Sequence, residues 1–198
     1  MFSNSGISKL TLVLVIISFI LVSGCTSEGD ACISVLSDIN SLENTANGRL
    51  KVMDFEEPDE LLRAQSEASL TQYSEALYLM TDSGASSCMP DINYKNRIRS
   101  IQLKTGLLEL YMSLDDADKT IKTLSVLDYP EYRAALKDSI TLLNSLRDES
   151  LYLLVMAGEI DPELLSPENA AMIPLVKSDI ELLKKQIDAK ISILQKYQ

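Results

Sequence analysis

The feature that most constrains this fold is the spacing of the apolar residues, which recur three or four positions apart from residue 31 almost to the C-terminus. This spacing places them on one face of an α-helix, whereas a half-buried strand needs alternate positions. No segment shows a convincing alternation between turn signals. The sequence therefore predicts an all-α fold. The clearest stripe, with separations of 3, 4, 3, 4, 4 and 3, is in the last helix: Ile173, Val176, Ile180, Leu183, Ile187, Ile191 and Leu194.

Five prolines mark the starts of helical segments. Each precedes an acidic residue, as expected in a first turn, where the missing N–H is not needed and a carboxylate complements the helix dipole. They are Pro58, Pro90, Pro130, Pro162 and Pro167. The predicted helices cover about 31–53, 58–82, 91–127 and 130–157, followed by a bent connector and a last helix that runs to the C-terminus.

Residues 91–127 form either one long helix or two. Ser113 and Asp116 have the spacing of a capping box, which predicts a new helix at that point. The apolar stripe continues through Leu110 and Leu114, which favours a single helix. With either outcome, we expect an antiparallel bundle of four to six helices.

The N-terminus has the three parts of an export signal. Lys9 is followed by an uncharged run, Leu10–Val22, and then by small residues before Cys25. The string Leu21–Cys25 resembles the lipobox of prokaryotic lipoproteins. The resemblance implies that Cys25 is acylated and becomes the mature N-terminus, which anchors the protein to a membrane and leaves the body outside the cytoplasm.

The resemblance, the length of the remainder and its helical pattern together give the domain boundaries. Residues 1–24 are the signal peptide, 25–30 the lipidated end and linker, and 31–198 a single helical domain. Two alternatives remain, an uncleaved anchor over 10–27 and cleavage by an ordinary signal peptidase. All three place the body outside the cytoplasm, since the positive N-terminus stays inside.

The charge and the absence of histidine exclude several classes of function. Residues 25–198 have 17 basic and 29 acidic side chains, a net charge of −12, so we expect no binding to nucleic acid. Without histidine the chain has no Ser-His-Asp or Cys-His system and lacks the commonest metal ligand. We expect neither an enzyme nor a cofactor or metal. The acidic groups 56–60 and 115–118 are interpreted as complements to helix dipoles.

Cys32 and Cys88 remain once Cys25 is acylated. An even number of cysteines in an exported protein predicts a disulfide, with two free thiols as the alternative. If the first two helices form an antiparallel hairpin, Cys32 at the start of one lies beside Cys88, just after the other. We expect the disulfide to be structural.

The segment Leu151–Ala157 has seven consecutive apolar residues, which cover every face of a helix. It is either central in the bundle, which we expect, or partly exposed as a docking surface. The candidate partner surface consists of Leu151, Leu154 and Val155. With the lysines of the last helix, it would suit an acidic amphipathic partner.

Two functions follow from these patterns. The first is a non-catalytic lipoprotein whose bundle binds an envelope protein or organises the envelope. The second is a small-molecule binding or sensing bundle with a tyrosine-lined cavity between its helices. A closed cavity with converging tyrosine hydroxyls would favour the second, and a packed interior with an exposed apolar surface the first.

Overall fold

The computed structural model describes residues 7–56, 60–124 and 128–197, with the backbone alone for residues 7–28 and Tyr129. These residues form five α-helices and two short 3-10 helices, without a strand, so the predicted all-α fold is confirmed. The α-helices are α1 (Ile7–Leu50), α2 (Glu60–Asp82), α3 (Asp91–Thr123), α4 (Tyr129–Glu159) and α5 (Pro167–Gln195). The 3-10 helices are Ala85–Ser87 and Pro162–Leu164.

Two of the predicted helix starts have a side-chain cap. Asp161 precedes the second 3-10 helix, and its carboxylate accepts a hydrogen bond from the Glu163 amide at 3.0 Å. Ser166 precedes α5, and its hydroxyl accepts from the Asn169 amide at 3.3 Å. Both caps satisfy amides that a helix leaves without an internal acceptor. Pro58 lies outside the described residues.

α3 is a single helix, without the break that the capping-box pattern predicts. The Asp116 carboxylate does not cap a helix start, because it accepts a hydrogen bond from the Arg63 guanidinium of α2 at 2.6 Å. Leu110 and Leu114 are buried on either side of the expected break at Ser113. The continuous apolar stripe therefore decides the structure here.

Each α-helix packs against the next along the chain, and α5 returns to contact α3 and α1. Arg63, near the start of α2, binds Asp115 near the end of α3. At the other end of this pair, the Tyr94 hydroxyl donates to the Met80 carbonyl at 3.2 Å. The buried side chains from the five helices and the loop after α1 form one connected core.

Gly106 allows a close approach between α3 and α4. A Cβ at this position would lie 2.5 Å from Cδ2 of Leu153, which is far inside contact distance. Leu153 itself is buried. The isolated glycine in a helical pattern therefore has a packing role, which the sequence pattern alone does not indicate.

Candidate functional site

Cys25, the predicted lipidation site, lies in α1, but its side chain is outside the described residues. Its acylation stays a prediction. The backbone is helical through the predicted linker, residues 25–30. Within the described part of the chain, no helix has both the length and the apolar character needed to cross a membrane.

Cys32 and Cys88 form a disulfide, with their Cα atoms 5.4 Å apart. This separation is in the normal range for a disulfide. Cys32 belongs to α1, and Cys88 directly follows the first 3-10 helix. The bond ties α1 to the loop between α2 and α3. Both cysteines line an open cleft of about 470 Å³. The third cysteine of the sequence is Cys25.

The apolar segment of α4 is not central in the bundle, so the expected burial of all its faces is wrong. Leu153 and Ala157 are buried, but Leu151 is 45 % exposed and Tyr152 and Val155 are each 63 % exposed. The physical reason is that, among the described residues, α4 packs mainly against α3 and α5. We call Leu151, Tyr152 and Val155 the α4 patch.

Of the predicted partner residues, Leu151 and Val155 lie in the α4 patch, one helical turn apart. Leu154 is only partly exposed and packs against the core. Tyr152 was not among the predicted residues, although it follows Leu151 directly. The sequence pattern identifies the segment but not the side that stays exposed.

Acidic side chains flank the α4 patch along the helix, and Oδ1 of one of them, Asp148, lies 3.8 Å from Nε of Arg147. Asp148 and Glu149 precede it by less than one turn, and Glu159 follows it by one turn. Burial raises the pKa of the Glu149 carboxyl, and the negative charge of Glu109 on α3 raises it further. Two carboxylates that repel each other beside an apolar surface favour a partner with positive charge.

The α5 lysines are less available than the sequence suggests. Lys184 binds Asp188 at 2.7 Å, and Lys190 binds Asp118 of α3 at 2.8 Å. α4 and α5 pack directly on each other. Lys184 and Lys190 are therefore already paired within the bundle, whereas Lys177 and Lys185 on α5, and Lys196 directly after it, are exposed.

A cluster of buried polar side chains lies where α1, α2, α3 and α5 meet. Lys104 is completely buried, and its ammonium donates to Oδ1 of Asn169 at 2.6 Å. The same oxygen accepts from the Asn47 amide at 2.9 Å. The Tyr73 hydroxyl donates to Oδ1 of Asn47 at 2.7 Å, and the Lys104 ammonium is 5.5 Å from the centre of the Tyr73 ring.

The second part of this buried polar cluster is an ion pair. Glu43 is completely buried, and its Oε2 accepts from Arg97 Nε at 2.9 Å and also from Arg97 Nη2. Arg97 Nη2 also donates to Asn40 Oδ1 at 2.6 Å. The other carboxylate oxygen of Glu43, Oε1, is buried without a hydrogen-bond partner among the described residues. Such an oxygen is costly in a protein interior.

Burial controls the ionisation of this cluster. It lowers the pKa of the Lys104 ammonium to about 8, since removal from water disfavours the charged form. The negative charge of Glu43 raises this pKa, and the positive charge of Arg97 lowers it. Burial also raises the pKa of the Tyr73 phenol, as does the negative charge of Glu43. Lys104, Arg97 and Glu43 together have one excess positive charge at neutral pH.

The buried polar cluster reaches the surface at a cleft of about 170 Å³, which we call the Arg97 cleft. It lies between α1, α3 and the start of α5. Five of its lining residues are polar and three are apolar. They are Asn40, Asn93, Arg97, Ser166 and Asn169, with Met89, Leu164 and Leu165.

The tyrosine-lined cavity expected of a small-molecule binder is not found at these clefts. The disulfide cleft, the Arg97 cleft and a polar cleft of about 510 Å³ between residues 51–56 and 178–185 contain no tyrosine in their linings. The hydroxyls of Tyr73, Tyr78 and Tyr94 each bind a different neighbour, Asn47, Asp82 and the Met80 carbonyl. They do not converge.

The described acidic residues do not form a metal site. Among the described residues, no group of three His, Cys, Asp or Glu side chains has metal-binding geometry. Asp115 and Asp116 lie inside α3 and bind Arg63 and Lys119, so their interpretation as helix-start residues is wrong. Residues 57–59 of the other acidic group lie outside the described residues.

Comparisons with protein-family models, with curated proteins and with solved structures find no match for this chain.

Proposed function

We propose that this chain is a lipoprotein, anchored outside the cytoplasm through Cys25, whose antiparallel helical bundle is a non-catalytic protein-interaction module. The α4 patch is the observation that carries the proposal. Leu151, Tyr152 and Val155 are large apolar side chains that the bundle leaves exposed on consecutive turns of one helix. Exposed apolar surface that is rimmed by polar residues is typical of interaction sites.

The partner that fits this surface is a basic amphipathic helix. Its apolar face would cover Leu151 and Val155, and its lysines or arginines would lie against the carboxylates of Asp148, Glu149 and Glu159. Placing a cation near Glu149 would relieve its repulsion with Glu109, and rim charges of opposite sign accelerate association. The proposed partner is thus basic, whereas the α5 lysines alone predict an acidic one.

The docking surface is tested by photo-crosslinking in the native host. A photo-reactive amino acid at position 152 is compared with one at position 92, because Tyr152 and Ile92 are equally exposed, each at 63 %. We expect a specific adduct at position 152 only, and the crosslinked peptide of the partner should be a basic amphipathic segment. Equal adducts at both positions, or an acidic partner segment, would contradict the proposal.

A matched variant tests the affinity. Leu151→Asp with Val155→Asp should abolish the adduct and leave the helical circular dichroism unchanged, since both side chains are exposed. Ile92→Asp is the control, because it adds a negative charge to an exposed apolar position on α3. Unfolding of the double variant would show that the two side chains belong to the core, and it would refute the proposed docking surface.

The anchor is tested separately. Metabolic labelling with a fatty-acid analogue should mark the wild type, and Cys25→Ala should remove the label while the bundle stays folded. Equal labelling of the two proteins would refute lipidation at Cys25. This result would leave the docking surface untouched, because the crosslinking experiment does not depend on the lipid.

A small-molecule binding bundle is the second candidate function. The Arg97 cleft favours it, since the cleft connects solvent with buried charged groups.

A further inference from the structure

The Arg97 cleft has fixed walls. On one side, Asn96 makes two hydrogen bonds to the backbone of Asp161. Its Nδ2 donates to the Asp161 carbonyl at 2.7 Å, and its Oδ1 accepts from the Asp161 amide at 2.9 Å. These bonds hold the connector that contributes Leu164 and Leu165. On the other side, Asn169 is held by Lys104 and Asn47. A preformed cleft binds a ligand without the cost of ordering its walls.

Hydrogen-bond donors are available at this cleft. Arg97 uses Nε and Nη2 for Glu43 and Asn40, and its Nη1 group makes no hydrogen bond to the described residues. Oδ1 of Asn169 accepts from two donors, and its Nδ2 group makes no hydrogen bond to the described residues. The side-chain amide of Asn93 likewise makes no hydrogen bond within the described structure. A guanidinium and two amides together suit a carboxylate.

The charge behind the cleft points to the same ligand class. Lys104 and Arg97 are both cationic, and Glu43 is the only carboxylate that binds either of them among the described residues. A buried charge without a counter-charge is costly. A monoanion that contacts Arg97 would balance the one excess positive charge of Lys104, Arg97 and Glu43. A dianion would leave one excess negative charge.

We propose that the Arg97 cleft binds a short-chain carboxylate, with the carboxylate at Arg97, Asn93 and Asn169 and the alkyl chain against Met89, Leu164 and Leu165. The cleft volume of about 170 Å³ equals roughly six water molecules. This volume fits a carboxylic acid with about four carbons, such as butyrate. The proposal is independent of the docking function of α4.

The test uses the full ¹⁵N-labelled chain in detergent and follows side-chain amide signals during titration. Butyrate is the probe, butyramide is its uncharged isostere, and inorganic phosphate, which is partly dianionic at neutral pH, is the more highly charged anion. We expect butyrate to shift the amide signals of Asn93 and Asn169 saturably, with a Kd of about 1 mM, the affinity expected of a ligand with six non-hydrogen atoms. Butyramide and phosphate should bind at least about tenfold more weakly.

The decisive variant is Asn93→Asp, which places a carboxylate at the cleft without removing any hydrogen bond of the described structure. It should weaken butyrate binding by about tenfold or more, followed through the Asn169 signal. Asn44→Asp is the matched control, since Asn44 is exposed on α1 and lines a different cleft. Asn44→Asp should change the Kd less than twofold.

Each alternative result overturns the proposal. Equal shifts with butyramide would remove the carboxylate requirement, and tighter binding of phosphate would show a general anion site. Equal effects of Asn93→Asp and Asn44→Asp would mean that only the net surface charge matters. Absence of saturable shifts up to about twenty times the expected Kd would exclude a site for this ligand class.

Discussion

Lys104 gives the sharpest prediction about the physical chemistry of this fold. Its ammonium is completely buried and makes one hydrogen bond, to Asn169, among the described residues. The folded protein lowers its pKa from 10.5 to about 8, chiefly through burial. The unfolded chain keeps the ordinary value. Between these two values the unfolded state binds the additional proton, so stability should rise with pH in this window.

The magnitude follows from the two pKa values. A difference of about 2.5 pKa units corresponds to about 3 kcal/mol over the full window. Between pH 7 and pH 9.5, where the wild type passes through the folded pKa but not the unfolded one, linkage gives a gain of about 2 kcal/mol. The Lys104→Met variant keeps a side chain of similar length but no charge, and it should lack this gain.

The assay is urea denaturation of both proteins at pH 7.0, 8.0, 9.0 and 9.5 with the disulfide intact. Other titrating groups act on both proteins, so the difference between the two free energies of unfolding isolates Lys104. Lys177→Met is the control, because Lys177 is exposed on α5. Parallel pH profiles for the wild type and Lys104→Met would refute a depressed pKa for the buried ammonium.

Two further predictions concern packing and the crosslink. Gly106→Ala should destabilise the fold by about 1–2 kcal/mol in the same urea assay, because overpacking against Leu153 outweighs the roughly 1 kcal/mol gained in helix propensity. Gly48→Ala is the control, because its methyl group would meet nothing within 4 Å. This variant should be more stable than the wild type by about 1 kcal/mol. Replacing Cys32 and Cys88 with serine should lower the free energy of unfolding by about 4 kcal/mol, and mass spectrometry without reductant should find the two joined. Free thiols, or unchanged stability, would contradict this.

The helical character of the chain could be predicted because it depends on local spacing. Each stripe buries one face, and the last helix follows its pattern closely: all seven of its stripe residues are buried. Of the two alternatives for residues 91–127, the break indicated by the capping-box pattern is wrong for the opposite reason. The partner of Asp116 is Arg63, which is 53 residues away, and a local capping pattern contains no information about such a contact.

The exposure of the α4 patch could not be predicted either, because burial depends on how many neighbours surround a helix. Seven consecutive apolar residues would be buried in a central helix. α4 packs mainly against α3 and α5, so Leu153 and Ala157 face the core while Leu151 and Val155 do not. Every residue of this segment is apolar, so only the tertiary arrangement determines which of its faces is buried.

The buried polar cluster was not predicted from the sequence, although the sequence contains a weak pattern that indicates it. Asn40, Glu43 and Asn47 are spaced like the apolar stripe of α1, and Arg97 and Lys104 are two turns apart in α3. Polar residues in phase with a core stripe are usually interpreted as a polar boundary of the helix face. Here they meet across helices that are distant in sequence. Because Glu43 has an oxygen without a partner and Lys104 has unused donors among the described residues, their burial costs stability that packing alone does not require. The carboxylate proposed for the Arg97 cleft would offset part of this cost by balancing the excess positive charge of the cluster.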